Sequence, residues 1–224
     1  MPAKCEICRM GILLVAATAH EIQPTLNRSH GMDILITGVG SIQTCYHLHK
    51  KLKEGDYDFV LQAGIAGVFS NKLPLGTVVG VSDDCFGDLG FEESDEFIPL
   101  FQTKLLQPNE FPFENGKLVN RMLSTERLGL EVASAVTVNK VSDSTRQMEQ
   151  LCNFFNPAVE SMEGAAFHYV CLQQKIPFLQ LRAISNHVGE RDKSKWILKE
   201  AIINLDTAIN RITNILQKFP HTSQ

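Results

Sequence analysis

Four stretches of this 224-residue chain put acids, glycines and an amide at or just past the ends of apolar runs. Glu21 follows the apolar run 12–17 within Ala17-Thr18-Ala19-His20-Glu21, at the opening of a helix. An acid there is a candidate active group, and equally an ordinary complement to the positive end of a helix dipole. Gly64-Ile65-Ala66-Gly67 closes the run 59–63. Its glycines would let a ligand approach the backbone and meet exposed N–H groups, although a plain tight turn has the same letters. In Glu160-Ser161-Met162-Glu163-Gly164-Ala165-Ala166 an acid stands where a short strand passes into a helix of small residues, and Arg182-Ala183-Ile184-Ser185-Asn186 ends the next strand in a polar pair. A carboxylate accepts from two neighbouring hydroxyls at once, as a ribose presents them, and a carboxamide offers a donor beside an acceptor, as a heterocycle requires.

These groups act together only if a frame brings distant strand ends to one place. Apolar periodicity predicts strands over 12–17, 33–37, 59–63, 77–81, 132–138, 158–162 and 178–185. It predicts helices over about 20–27, 38–53, 145–154, 164–173 and 195–216. Strand–helix alternation with continuous apolar strands specifies an α/β fold with a central, mostly parallel or mixed twisted sheet and helices on both faces. Ligands in such sheets sit beyond the carboxyl ends of the strands. Residues 83–115, rich in Phe, Asp, Glu and Pro and poor in period, read as a functional loop or lid. Residues 10–224 read as a single domain and 1–9 as a disordered N-terminal extension. Cys5 and Cys8 form a C-x-x-C there without further ligands of suitable spacing, so no metal is expected.

Bulk composition narrows the partners. With 44% apolar residues the chain has enough for a core, and a formal net charge of -4 without a Lys/Arg run gives no footprint for nucleic acid or an acidic membrane. A small molecule is the expected partner. The early apolar run is too short for a bilayer span or a signal peptide, and the six irregularly spaced cysteines look like reduced thiols, so a cytoplasmic location is expected.

Over 11–216 these ordered motifs resemble the nucleoside phosphorylases and nucleosidases, the family that includes 5′-methylthioadenosine/S-adenosylhomocysteine nucleosidase. Leu13-Leu14-Val15-Ala16-Ala17-Thr18, Phe86-Gly87-Asp88-Leu89-Gly90 and Arg182-Ala183-Ile184-Ser185-Asn186-His187-Val188-Gly189-Glu190-Arg191-Asp192 carry the likeness toward members that hydrolyse a 5′-modified 6-oxopurine nucleoside in menaquinone biosynthesis. The resemblance implies that Glu21 activates water, and that Met162 and Glu163 pack under the sugar and hold its hydroxyls. It implies that Ile65, Ala66, Gly67 and Val141 line base and sugar, and that Arg182 stands near the catalytic carboxylate. Asn186, the second catalytic candidate, falls where adenine-specific nucleosidases have Asp and 6-oxopurine phosphorylases have Asn, which implies hypoxanthine as the leaving base. Ile65 replaces a usual Ser, and Lys140 stands where an aromatic often stacks. Arg191 is a candidate cation for an acidic 5′ substituent, a solvated loop being the alternative. The resemblance implies no cofactor and a homo-oligomer, dimer or larger, with 83–115 a candidate contact around the neighbour's 5′ pocket. Three other readings stay open: a methylthioadenosine-type nucleosidase, an inosine-type phosphorylase, which needs cations around phosphate, and a nucleoside-binding protein without turnover.

Overall fold

Strand β1 (Ile12–Ala16) is buried along its whole length, so alternate side chains serve two cores. Ile12, Leu14 and Ala16 pack with Leu205, Ile209 and Ile212 of the C-terminal helix, while Leu13 and Val15 pack with Leu48 and Phe167 on the opposite face. Such continuous burial explains why this run is apolar rather than alternating. Truncating Leu14 to Ala would cost about 2–5 kcal/mol.

The computed structural model describes residues 10–28, 31–94, 96–121 and 128–218; the extension 1–9, with Cys5 and Cys8, lies outside them. After β1 come α1 (Gln23–Leu26), β2 (Asp33–Ile36), α2 (Ser41–Glu54), β3 (Phe59–Val68) and β4 (Val78–Asp84). Then follow β5 (Gly90–Glu93), β6 (Glu96–Pro99), β7 (Leu118–Val119), β8 (Glu131–Thr137), α3 (Thr145–Phe155) and β9 (Val159–Ser161). The remainder is α4 (Gly164–Gln174), β10 (Phe178–His187) and α5 (Leu198–Leu216).

The main sheet runs β10-β4-β8-β9-β3-β1-β2, and β10 pairs β3 as well, so that five strands close a circuit. Ala66, Val79, Ala133, Val159 and Ile184, one from each of those strands, belong to the hydrophobic cluster that fills it. The sheet is mixed: β4 runs antiparallel to β10 and β9 antiparallel to β3, with the other main pairings parallel. This is the expected α/β architecture, with α5 covering one face and α2 and α4 the other.

Several boundaries differ from the sequence expectation, each for a tertiary reason. Gly64-Ile65-Ala66-Gly67 is not a turn but the second half of β3, held by β10 along one edge and by β9 at Gly67 and Val68. A helix over 20–27 shrinks to one turn, with Pro24 in the position where a missing N–H costs nothing. Residues 83–115 are not a structureless lid, since β4 runs to Asp84 and β5 and β6 form a hairpin within them. The last helix begins at Leu198, after a separate 3-10 turn at Lys193–Lys195. Among the described residues no helix is long and apolar enough to cross a membrane.

Candidate active site

Glu21 is 8% exposed and held by three donors. The Thr18 amide and hydroxyl each donate to Oε2 at 3.0 Å, and the Ile65 amide donates to Oε1 at 3.1 Å. The Ile65 contact depends on Gly64. A Cβ at that position would lie 2.9 Å from Glu21 Oε1 and 2.6 Å from Arg182 Nη1, so only glycine lets the strand pass so close to both side chains.

Glu163 stands at the junction of β9 and α4, but its side chain does not cap its own helix. It reaches across to the start of α2, where the Gly40 amide donates to Oε1 at 3.1 Å. Gly40 has φ 96°, a conformation open to glycine, and it presents its N–H at the positive end of a fourteen-residue helix. From below, Arg182 Nη1 donates to Glu163 Oε2 at 3.4 Å and to the Ile65 carbonyl at 3.3 Å, while Nη2 donates to Gln62 at 3.2 Å. Arg182 is 1% exposed, so its charge is felt with little screening.

Asn186 comes from β10, whose pairing with β3 slips between Ile184 and Asn186 and leaves Ser185 as an extra residue. Such a bulge re-aims the side chain that follows it. Its Oδ1 accepts from the Ser185 hydroxyl at 2.7 Å and its Nδ2 donates to the His187 carbonyl at 2.8 Å. One amide hydrogen and one lone-pair site remain for a ligand.

These groups open on one cavity of about 320 Å³ beyond the carboxyl ends of β1, β3 and β10. Glu21, Ile65, Ala66, Gly67, Val141, Met162, Glu163, Asn186 and Arg191 all line it. Arg182 does not: it lies behind the wall, bonded to Glu163 and to β3. Lys140 faces a separate cavity beside the β5–β6 hairpin. Sequence reasoning did not single out Thr18, Glu160, Ser142 and Trp196, which also line the main cavity. Glu160 is buried, accepting from the Ser142 amide at 3.1 Å and from the Ser142 hydroxyl. Burial pushes its carboxyl above the ordinary range, the Ser142 bonds and the Arg191 charge oppose that push, and Asp88 adds to it. Among the described residues no group of three His, Cys, Asp or Glu is arranged to hold a metal ion.

The arrangement offers three buried acids and an amide around a space the size of a small ligand. The model of the phosphorylase superfamily matches residues 18–219. A futalosine hydrolase of Thermus thermophilus is 33% identical over 187 residues, covering 81% of each chain. Among solved structures, a 5′-methylthioadenosine/S-adenosylhomocysteine nucleosidase of Colwellia psychrerythraea in complex with adenine superposes with TM-score 0.76 at 17% identity, over 93% of this chain and 96% of that one. The native futalosine hydrolase of Helicobacter pylori superposes with TM-score 0.69 at 15% identity, over 93% and 96%.

Proposed function

The chain belongs to the phosphorylase superfamily, and from that premise we propose that it is a nucleosidase that hydrolyses the N-glycosidic bond of futalosine and releases hypoxanthine. The observation that carries this reading is that Glu21, Glu163 and Asn186 meet around one cavity in a chain with this relationship to futalosine hydrolases.

Cleavage of the bond between C1′ and N9 leaves a ribose with oxocarbenium character and a base that gains negative charge. In this reading Glu163 accepts from the ribose hydroxyls, with Arg182 and Gly40 fixing its orientation. Asn186 donates its free amide hydrogen to O6, and its Oδ1 accepts from N7 once N7 has taken a proton from bulk water, while Glu21 later returns its own proton to solvent. Glu21 orients a water and takes its proton as the oxygen bonds to C1′. The three donors on Glu21 hold it in place without a conformational search.

Two features favour hydrolysis of a 6-oxopurine nucleoside over the alternatives. A phosphorylase would draw phosphate to the position of the attacking water, where the Glu21 carboxylate repels it and where Arg182 is already committed to Glu163. A methylthioadenosine nucleosidase is best served at the 6-amino group by a carboxylate, which only accepts, whereas this chain has an amide whose free hydrogen suits O6. We place the enzyme in the cytoplasm, in menaquinone biosynthesis, as a homo-oligomer built of one domain over 10–224 and needing no cofactor. Hypoxanthine release measured with futalosine, inosine and methylthioadenosine, with and without phosphate, tests the reading. Phosphate-independent release with futalosine preferred is expected; a requirement for phosphate, or preference for methylthioadenosine, would overturn it.

A further inference from the structure

The cavity holds a third buried acid that the reaction above does not use. Glu160 of β9 pairs in register with Gly67 of β3, and Gly67 in turn pairs with Asn186 of β10. Neighbouring strands lie about 4.8 Å apart, so the Glu160 and Asn186 backbones stand roughly 10 Å apart on either side of a residue with no side chain. A Cβ on Gly67 would fall 3.0 Å from Val188 Cγ2 and 3.4 Å from Asn186 Nδ2. All three residues line the cavity, which is therefore a flat glycine floor between an amide and an acid, a gap suited to a planar bicyclic base.

Ser142 occupies one site on each Glu160 oxygen through its amide and its hydroxyl. A carboxylate oxygen has two lone-pair sites, so one remains on each, and neither donates. We propose that Glu160 is a specificity-determining residue that accepts the N1–H of a 6-oxopurine while Asn186 reads O6 and N7. The inference rests on the nucleosidase reading above and deepens it. Hypoxanthine carries a hydrogen on N1 beside O6, which meets an acceptor. Adenine carries a lone pair on N1, which faces the Glu160 oxygens with nothing between them, a mismatch that buried sites reject strongly.

Glu160→Gln tests this, because the amide keeps the shape and gains an N–H that can donate to adenine N1. The ratio of kcat/KM for futalosine to that for its 6-amino analogue should fall roughly tenfold or more. A second measurement needs no turnover: calorimetric binding of free hypoxanthine and 1-methylhypoxanthine. The wild type should bind the methylated base at least about tenfold more weakly, and Glu160→Ala, which removes both acceptor and bulk, should bring the two affinities together. Absent hypoxanthine release from futalosine by the wild type would sink the functional reading. Normal release with an unmoved kcat/KM ratio, or a methyl penalty that persists in Glu160→Ala, would overturn the role of Glu160 alone.

Discussion

In the proposed reaction Glu21 is an acid with one task, to take a proton from water. In Glu21→Gln the amide nitrogen must face either Thr18 or the Ile65 N–H, because all three donors now point at the carboxylate. The variant loses the proton acceptor and gains a donor–donor clash of about 1–3 kcal/mol. Turnover should fall at least about a hundredfold with KM changed little, as steady-state kinetics on futalosine would show. Near-normal turnover would return Glu21 to the role of a helix-terminal acid. Asn186→Asp removes the donor that now bonds the His187 carbonyl and presents O6 with matched lone pairs. Futalosine cleavage should drop while relative activity on the 6-amino analogue rises, and an unchanged kcat/KM ratio would mean that Asn186 never touches the base. Both residues were legible in the sequence because each follows an apolar run, where strand ends must surface. Glu160 was not, because nothing local in 158–162 reveals that it pairs across from Gly67 or that Ser142, eighteen residues away, holds it at the cavity.

At the scale of elements, β4, α4 and β10 bury a polar layer beneath the site. Asp84 accepts from the Thr137 hydroxyl at 2.9 Å, the Cys85 amide at 2.8 Å and Gln180 at 3.3 Å, yet burial pushes its carboxyl up to about 7. His168 is fully buried, its Nδ1–H donates to the Leu118 carbonyl at 2.9 Å, and burial pulls it down to about 4. Between pH 4 and 6.5 the native state keeps a proton on Asp84 that the unfolded chain has released, so this group removes stability as pH rises. Over the same window the unfolded chain holds a proton on His168 that the native state lacks, so this group adds stability as pH rises. The two slopes offset each other in the wild type. Asp84→Asn, with the Gln180 amide turned to accept, should uncover the histidine's slope. Melting temperature should then rise between pH 4 and 6.5 more steeply than in the wild type, and parallel curves for the two proteins would contradict the offset. The strands and helices of this layer were readable from apolar period. The extent of β3 was not, because glycines that signal a turn in isolation are here required by Glu21 and Arg182 crossing the strand.

At the scale of the molecule, large apolar side chains stand exposed on α2 near the site. Val39 lines the cavity, and Ile42 and Tyr46 beyond it on α2 are exposed, at 82% and 63%. Leu105 and Phe111, within the segment read as a contact to a neighbour, are exposed as well. Large apolar side chains exposed on α2, next to a residue that lines the cavity, fit cover by a second copy of the chain. Light scattering should give at least twice the mass of one chain, and Ile42→Lys with Tyr46→Glu should shift it toward one chain and raise KM. A wild type that is fully active as a monomer would remove the idea.

The closed circuit of five strands has a consequence during synthesis. β10 is the last of the five to leave the ribosome and the piece that joins β3 to β4. Until it arrives, both strands present bare edges of the kind that recruit other chains. Glu163 meanwhile lacks its Arg182 partner, and Asn186, proposed to read the base, has not yet been made. A product that stops short of β10 therefore keeps no half-site for slow turnover, and a cell meets it as an aggregation-prone fragment to be degraded.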